Sequence, residues 1–239
     1  MMKIQQLKLG PMDNFSYVVW DTELREAAVI DPAWQPEAIE EFLNREKLTL
    51  KLLLLTHAHP DHANAARYFL EKDKELAPPF WSLPGTAGQN SRHLSASFSP
   101  KRAGLVLAVH KEDVFLLEDD MKPLHLLKGE EELALGHIKM KVIHTPGHTP
   151  GSVSYLAGGA VFTGDTLFVG QCGRADLPGS DPKALRLSLL KLAALPGETT
   201  LYPGHSYNGN TSTIGVQKEY NIYMKLAARG EAEFVKAAV

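Results

Sequence analysis

Residues 52–62 read LLLLTHAHPDH, and this stretch decides the fold. Four leucines end abruptly in three histidines and an aspartate. A short continuous apolar run bounded by polar residues is what a strand covered on both faces requires. Just past its end come His57, His59, Asp61 and His62. Side chains two apart in extended chain point the same way, so His57 and His59 converge on one point. The turn at Pro60 re-aims Asp61 and His62 toward a neighbouring point. Imidazole and carboxylate are ligands that suit zinc, manganese or iron. A polar loop holding histidines by chance is a poor account of four such residues within six positions.

Outward from this stretch, the sequence alternates strand and helix signals. Residues 3–9, 14–20 and 27–30 read as strands, the last two joined near Asp21. Pro36 suits the first turn of a helix running to about residue 47, with Ile39, Phe42 and Leu43 on one face. A helix over 64–72 follows the histidine loop, then a strand over 105–109 and a short helix over 111–117. Residues 121–129 read as loop. Hairpins are expected over 132–143 and, around Gly158-Gly159, over 152–162. Pro182 opens a helix to about residue 194, capped by Ser180 or Asp181. A last strand ends at 201–202, and one closing helix spans 214–228. Strands and helices in two groups predict two sheets packed face to face with helices outside.

The chain has 239 residues, within reach of a single α/β domain over 1–239. A net charge of -3 gives no basic excess for nucleic acid or an anionic membrane. No apolar run approaches the ~20 residues of a membrane span. The N-terminal MMKIQQLKLG lacks a signal-peptide core. A lone cysteine, Cys172, excludes an internal disulfide framework, and a cytoplasmic location is expected. Nothing in the sequence fixes an oligomeric state.

Residues 77–104 break the rhythm. They are rich in Pro, Ser and Gly and hold Phe80, Trp81, His93 and Phe98. So long a loop is usually functional, and a flap inserted over the site and contacting substrate is expected here. An ordinary surface insertion is the alternative.

Three later stretches carry further ligand types: 144–149 (HTPGHT) with His148, 163–168 (TGDTLF) with Asp165, and 202–207 (YPGHSY) with His205. Each follows a strand end and has glycine beside it, which permits a sharp bend and a close backbone approach. With these four motifs in order, the chain resembles the metallo-β-lactamase superfamily over nearly its whole length. The resemblance implies an α/β fold, a four-layer αββα sandwich with metal at one edge. It implies that His57, His59 and His148 hold one divalent cation, that Asp61, His62 and His205 hold another, and that Asp165 bridges them. One or two ions are implied, zinc or iron, with manganese also accepted. A water between the cations would be acidified toward neutrality and would attack a carbonyl, with Asp61 orienting or deprotonating it.

GDTLF at 164–168, followed by GRAD at 173–176 and PGHSYNGNTSTIGVQKEYN at 203–221, looks like the glyoxalase II and persulfide dioxygenase branch. This implies a small-molecule substrate, a thioester or related acyl compound cleaved by hydrolysis. The alternative is a persulfide dioxygenase with one iron on His57, His148 and Asp165, and behind it a metal-binding protein with no hydrolytic role. Pro60, where that dioxygenase branch usually has Ala, leans toward the hydrolase. Two-domain glyoxalase II carries a C-terminal helical domain for glutathione. Only residues 206–239 follow His205 here, too few for that domain.

Arg174 and Asp176 read either as groups that orient ligands or meet an anionic substrate, or as a structural ion pair. Asp31 reads as a partner for a ligating histidine or as a plain turn residue. Cys172 reads as a packed thiol, and His93, His110, His125, His137 and His144 as surface or packing residues.

Overall fold

The structure is a computed structural model that describes residues 1–76, 104–118, 121 and 125–239. The leucine run forms β4 (Thr49–Leu54), flanked in parallel by β3 (Glu26–Ile30) and β5 (Val106–His110). Leu52 and Leu54 enter one core, while Leu53 and Leu55 enter another. Both faces are covered, which is why the run is continuous rather than alternating. Antiparallel β1 (Met2–Leu9) and β2 (Asn14–Asp21) extend this sheet on one side, and parallel β6 (His125–Leu127) on the other. Its order is β1-β2-β3-β4-β5-β6.

The second sheet contains β7 (Glu132–Leu135), β8 (Ile138–His144), β9 (Val153–Ala157), β10 (Ala160–Gly164), β11 (Thr200–Pro203) and β12 (Ser212–Thr213). Its order is β12-β11-β10-β9-β8-β7, antiparallel except between β10 and β11. Three apolar clusters separate four layers. Between the sheets, Phe15, Tyr17 and Ile30 meet Met140, Val142, Tyr155 and Phe162. Two buried phenols cross this layer and donate to strand-end carbonyls, Tyr155 to Leu55 at 2.7 Å and Tyr17 to Pro203 at 2.5 Å. Outside the first sheet lie α1 (Pro36–Arg45), the short α2 (Pro60–Ala63) and α3 (Ala66–Leu76). Ile39, Phe42, Leu43 and Phe69 fill that cluster. Outside the second lie α4 (Pro182–Ala193), α5 (Ile214–Tyr220), α6 (Ile222–Arg229) and α7 (Glu231–Ala238). Leu185, Leu189 and Leu192 sit at helical spacing on α4 and pack with Met224 and Phe234. Burying each such side chain contributes about 1.5–3 kcal/mol. The arrangement is the αββα sandwich expected from sequence.

The structure departs from expectation at several elements. Residues 125–127 are not loop but the edge strand β6. The strand ending near 202 is not the last, because β12 follows it. The segment 111–117 is a 3-10 helix, Lys111–Leu116. The single closing helix is two, broken at Asn221, and α7 follows unannounced. Asn221 has extended backbone (ψ 118°), and its side-chain oxygen accepts from the Tyr223 and Met224 amides. Its amide nitrogen donates to the Gln171 and Phe168 carbonyls. These bonds outcompete helix continuation. Asp181 rather than Ser180 caps α4. The flap expected over residues 77–104 lies, Gly104 apart, outside the described residues. Among the described residues, no helix is long and apolar enough to cross a membrane.

Candidate metal centre

The candidate donors all sit beyond the carboxyl ends of strands. His57 and His59 follow β4, Asp61 and His62 lie on α2, His148 follows β8, Asp165 follows β10 and His205 follows β11. Backbone bonds lace these loops together. The Val153 amide donates to the Thr56 carbonyl at 2.7 Å, that of Gly204 to Gly164 at 2.9 Å, and that of Phe15 to Gly204 at 2.8 Å. Gly204 needs its missing side chain, because a Cβ there would run into Asp165 Oδ1 and come within 2.9 Å of His62 Cε1.

The fold brings all seven expected donors together. His57, His59 and His148 form one group, and Asp61, His62 and His205 another. His57, His62 and Asp165 form a third that links them, and within each group the donor atoms lie within 4.8 Å of one another. Asp165 Oδ2 stands 3.6 Å from His148 Nε2 and 3.4 Å from His205 Nε2, so one oxygen faces a histidine of each outer group. Its other oxygen is 3.3 Å from His62 Nε2.

The outward nitrogens of these rings are fixed from behind. His148 Nδ1 bonds the Arg174 carbonyl at 2.9 Å, and His205 Nδ1 bonds the Met12 carbonyl at 2.8 Å. A carbonyl only accepts, so each Nδ1 carries a proton and each Nε2 is aimed inward. Asp31 Oδ2 does the same for His62 at 3.1 Å. Thr56 Oγ1 donates to Asp31 Oδ2 and so accepts from His57 Nδ1 at 3.1 Å. Among the described residues, the inward His57 Nε2 is buried with no hydrogen-bond partner, as is Asp165 Oδ1. His59 Nδ1 faces His148 Nε2 at 3.0 Å, and His62 Nε2 faces His205 Nε2 at 3.1 Å. Two ring nitrogens so close need a proton or a cation between them. Ligating histidines characteristically have such tethered outer nitrogens. The donor set therefore fits one or two divalent cations.

The electrostatics of the metal-free site divide the histidines into two kinds. Burial, and then the neighbouring imidazoles, push His57 and His59 below the usual histidine range, which keeps them neutral. Burial opposes charge on His62 and His205 as well, but the nearby carboxylates outweigh it. His62 is held well above the usual range and His205 is raised to about 9. Burial likewise opposes ionisation of Asp61 and Asp165, yet His62 and His205 hold both carboxyls below their usual range.

The remaining sequence candidates fall as follows. Arg174 and Asp176 form a two-bond ion pair with each other, at 2.9 and 2.8 Å, near the surface. It is the Arg174 carbonyl, not the guanidinium, that touches His148. Asp31 hydrogen-bonds His62, a candidate ligand, rather than serving only as a turn residue. Burial pushes the Cys172 thiol up to about 12, in keeping with a packed residue. Sequence reasoning missed Asn14, whose amide donates to Asp61 Oδ2 and to the Asp61 carbonyl, both at 3.0 Å. It also missed Tyr207, half-exposed and stacked on His205 with ring centroids 4.8 Å apart. Asn14 gives no signal in the sequence, whereas Tyr207 stands two positions from a candidate ligand.

Comparison with known proteins agrees with this geometry. Residues 9–205 match the metallo-beta-lactamase superfamily. A probable metallo-hydrolase of Bacillus subtilis, YqgX, is 33% identical over 227 residues, covering 93% of this chain and 98% of that protein. The hydroxyacylglutathione hydrolase of Brucella ovis is 36% identical over 207 residues, covering 85% of this chain and 66% of that enzyme. Among solved structures, ETHE1 from Myxococcus xanthus superposes with a TM-score of 0.77 at 26% identity, covering 99% of this chain and 89% of that one. The chain belongs to the metallo-beta-lactamase superfamily.

Proposed function

We propose that this chain is a metal-dependent hydrolase of thioesters or related small acyl compounds. His57, His59 and His148 hold one divalent cation, Asp61, His62 and His205 hold a second, and Asp165 serves both. The observation that carries this reading is the Asp165 carboxylate, which has one oxygen facing a histidine of each outer group. All donors are imidazole or carboxylate, a set that zinc, iron and manganese each accept. Divalent cations held by these residues would supply an acidified water and Lewis-acid polarisation of an acyl carbonyl.

The chain's own residues supply position and proton handling. Asn14 pins Asp61 Oδ2, and that oxygen lies 3.4 Å from His205 Nε2. The Asp61 side chain keeps 18% of its surface exposed, so it can orient a nucleophilic water and take its proton. Tyr207, half-exposed, presents a flat aromatic wall beside His205 against which a substrate can pack.

A second reading uses His57, His148 and Asp165 alone, as the two-histidine, one-carboxylate set of an oxygen-activating iron centre. The donor set serves either reading, and Pro60, where the dioxygenase branch usually has Ala, leans toward the hydrolase. Purified protein, with metal content determined on the same sample, is assayed with and without oxygen on S-lactoylglutathione and glutathione persulfide. Thioester cleavage without oxygen uptake, at up to two metals per chain, is expected. Oxygen consumption with persulfide and a single iron would replace the hydrolase by the dioxygenase. Neither activity on a metal-loaded sample would refute the substrate class.

A further inference from the structure

Asp113 is a buried carboxylate outside the donor set whose contacts reach two of the donor loops. Asp113 lies on the 3-10 helix after β5 and is fully buried. Its Oδ2 accepts from the Ala58 amide at 3.2 Å and from Thr149 Oγ1 at 2.7 Å. Its Oδ1 accepts from the Gly151 amide at 2.6 Å. Ala58 stands between His57 and His59, and Thr149 directly follows His148. One side chain therefore clamps the two loops that carry the whole first donor group. Gly151 has no side chain because a Cβ there would come within 2.5 Å of the Asp113 carboxylate. The second group is held by other residues. Asp31 tethers His62, the Met12 carbonyl tethers His205, and Asn14 tethers Asp61.

We infer that Asp113 is a positioning residue that sets the spacing of His57 and His59 from His148, and so tunes one metal position independently of the other. The inference rests on the two-cation reading of the centre. The chemistry of the clamp makes it testable, because two of the three bonds come from backbone N–H groups. In Asp113→Asn one oxygen becomes an NH2. Whichever way the amide turns, NH2 then faces the N–H of Ala58 or of Gly151, and that donor is left unpaired. The affected loop must shift, and the distance between His59 and His148 shifts with it.

The test is zinc affinity of the metal-stripped full-length chain, by competition with a chromophoric chelator, in two single-site backgrounds. His205→Ala leaves the first group intact, and His148→Ala leaves the second. Asp113→Asn should weaken zinc about 10- to 100-fold in the His205→Ala background, the usual cost of losing a group that orients ligands. In the His148→Ala background the change should be under about twofold, on the same principle. Equal weakening in both backgrounds, or none in the first, overturns the inference and leaves Asp113 as plain loop packing. Thermal unfolding of the metal-free variants reports folding. Should Asp113→Asn not fold, Thr149→Val removes one donor while keeping shape. It should weaken zinc several-fold in the first background only, and an unchanged affinity there overturns the inference equally. A chain without these substitutions that binds no zinc would instead overturn the metal-centre reading itself.

Discussion

Asp31→Asn is the sharpest perturbation of the centre. Asp31 is 1% exposed and touches no substrate-accessible surface. Its Oδ1 accepts from the Thr56 amide at 2.7 Å, and its Oδ2 accepts from Thr56 Oγ1 at 2.7 Å and from His62 Nδ1 at 3.1 Å. The amide oxygen of Asn can keep the Thr56 amide bond, which places NH2 where Oδ2 was. Thr56 can rotate its hydroxyl to accept. His62 has no such freedom. Its Nδ1 must accept from the new NH2, which moves the ring proton to Nε2, the atom that faces the second donor group. The substitution thus changes the tautomer rather than the shape, and an N–H now points where a lone pair is needed. A charge-assisted hydrogen bond is worth about 1.5–3 kcal/mol, so affinity at the His62 position should fall roughly 10- to 150-fold. Chelator competition on the metal-stripped chain reads this directly, and the His57, His59 and His148 position should change far less. An unchanged second affinity, or equal loss at both positions, would refute the assignment of His62 Nε2 as a ligating atom.

Three further outcomes follow from the same geometry. Asp165→Ala removes the carboxylate shared by both donor groups, so metal content should fall and hydrolysis should cease; elemental analysis that still finds two metals would refute the bridging role. In the metal-free chain the folded-state pKa values of His62 and His205 are raised. Their contribution to stability is fully present below their unfolded value of about 6.5 and lost as pH rises, for His205 through about 9. Urea midpoints of the metal-free chain should fall over that window, and zinc binding at pH 7 should release protons, measured as a dependence of binding heat on buffer ionisation. A flat midpoint and no release would contradict the tethers inferred here. Asn221→Ala removes a helix cap and takes from the buried Phe168 carbonyl its Asn221 donor, which should cost about 2–4 kcal/mol; a urea midpoint shifted by less than a quarter of that would show that the break between α5 and α6 is held elsewhere.

The sandwich was legible because its strands declare themselves. The leucine run of β4 must satisfy two cores, and its composition says so. The β7–β8 and β9–β10 hairpins are punctuated by glycines at 136, 158 and 159, each with positive φ. What escaped detection lacks local periodicity. β6 has three residues, of which only Leu127 is buried, and it exists because β5 offers an unpaired edge. The break at Asn221 interrupts a stretch whose apolar spacing continues on both sides. Only the 168–171 loop, some 50 positions away in sequence, supplies the carbonyls that favour it. Helix α7 buries Phe234 fully but carries little other apolar patterning.

At the site the division is chemical. The donors His57, His59, Asp61 and His62 crowd into six positions, and residue type alone reveals them. The groups that aim them do not share that property. Arg174 acts on His148 through its carbonyl, which every residue has, so the guanidinium that drew attention in the sequence is paired with Asp176 instead. The Met12 carbonyl lies 193 positions from the His205 ring it tethers, and Asn14 lies 47 positions from Asp61. None of these partners is encoded by a motif, because any chain that reaches the right place can provide a carbonyl. Yet they decide which nitrogen of each imidazole faces inward. Without them the facing nitrogen pairs, 3.0 and 3.1 Å apart, would relax by ring rotation and the donor groups would collapse into ordinary hydrogen bonds. Nitrogens held toward one another in a buried space need a proton or a cation between them, and it is the packed sandwich behind the loops that keeps them so. The candidate donors are therefore written in short motifs, while their mutual orientation is a property of the whole fold.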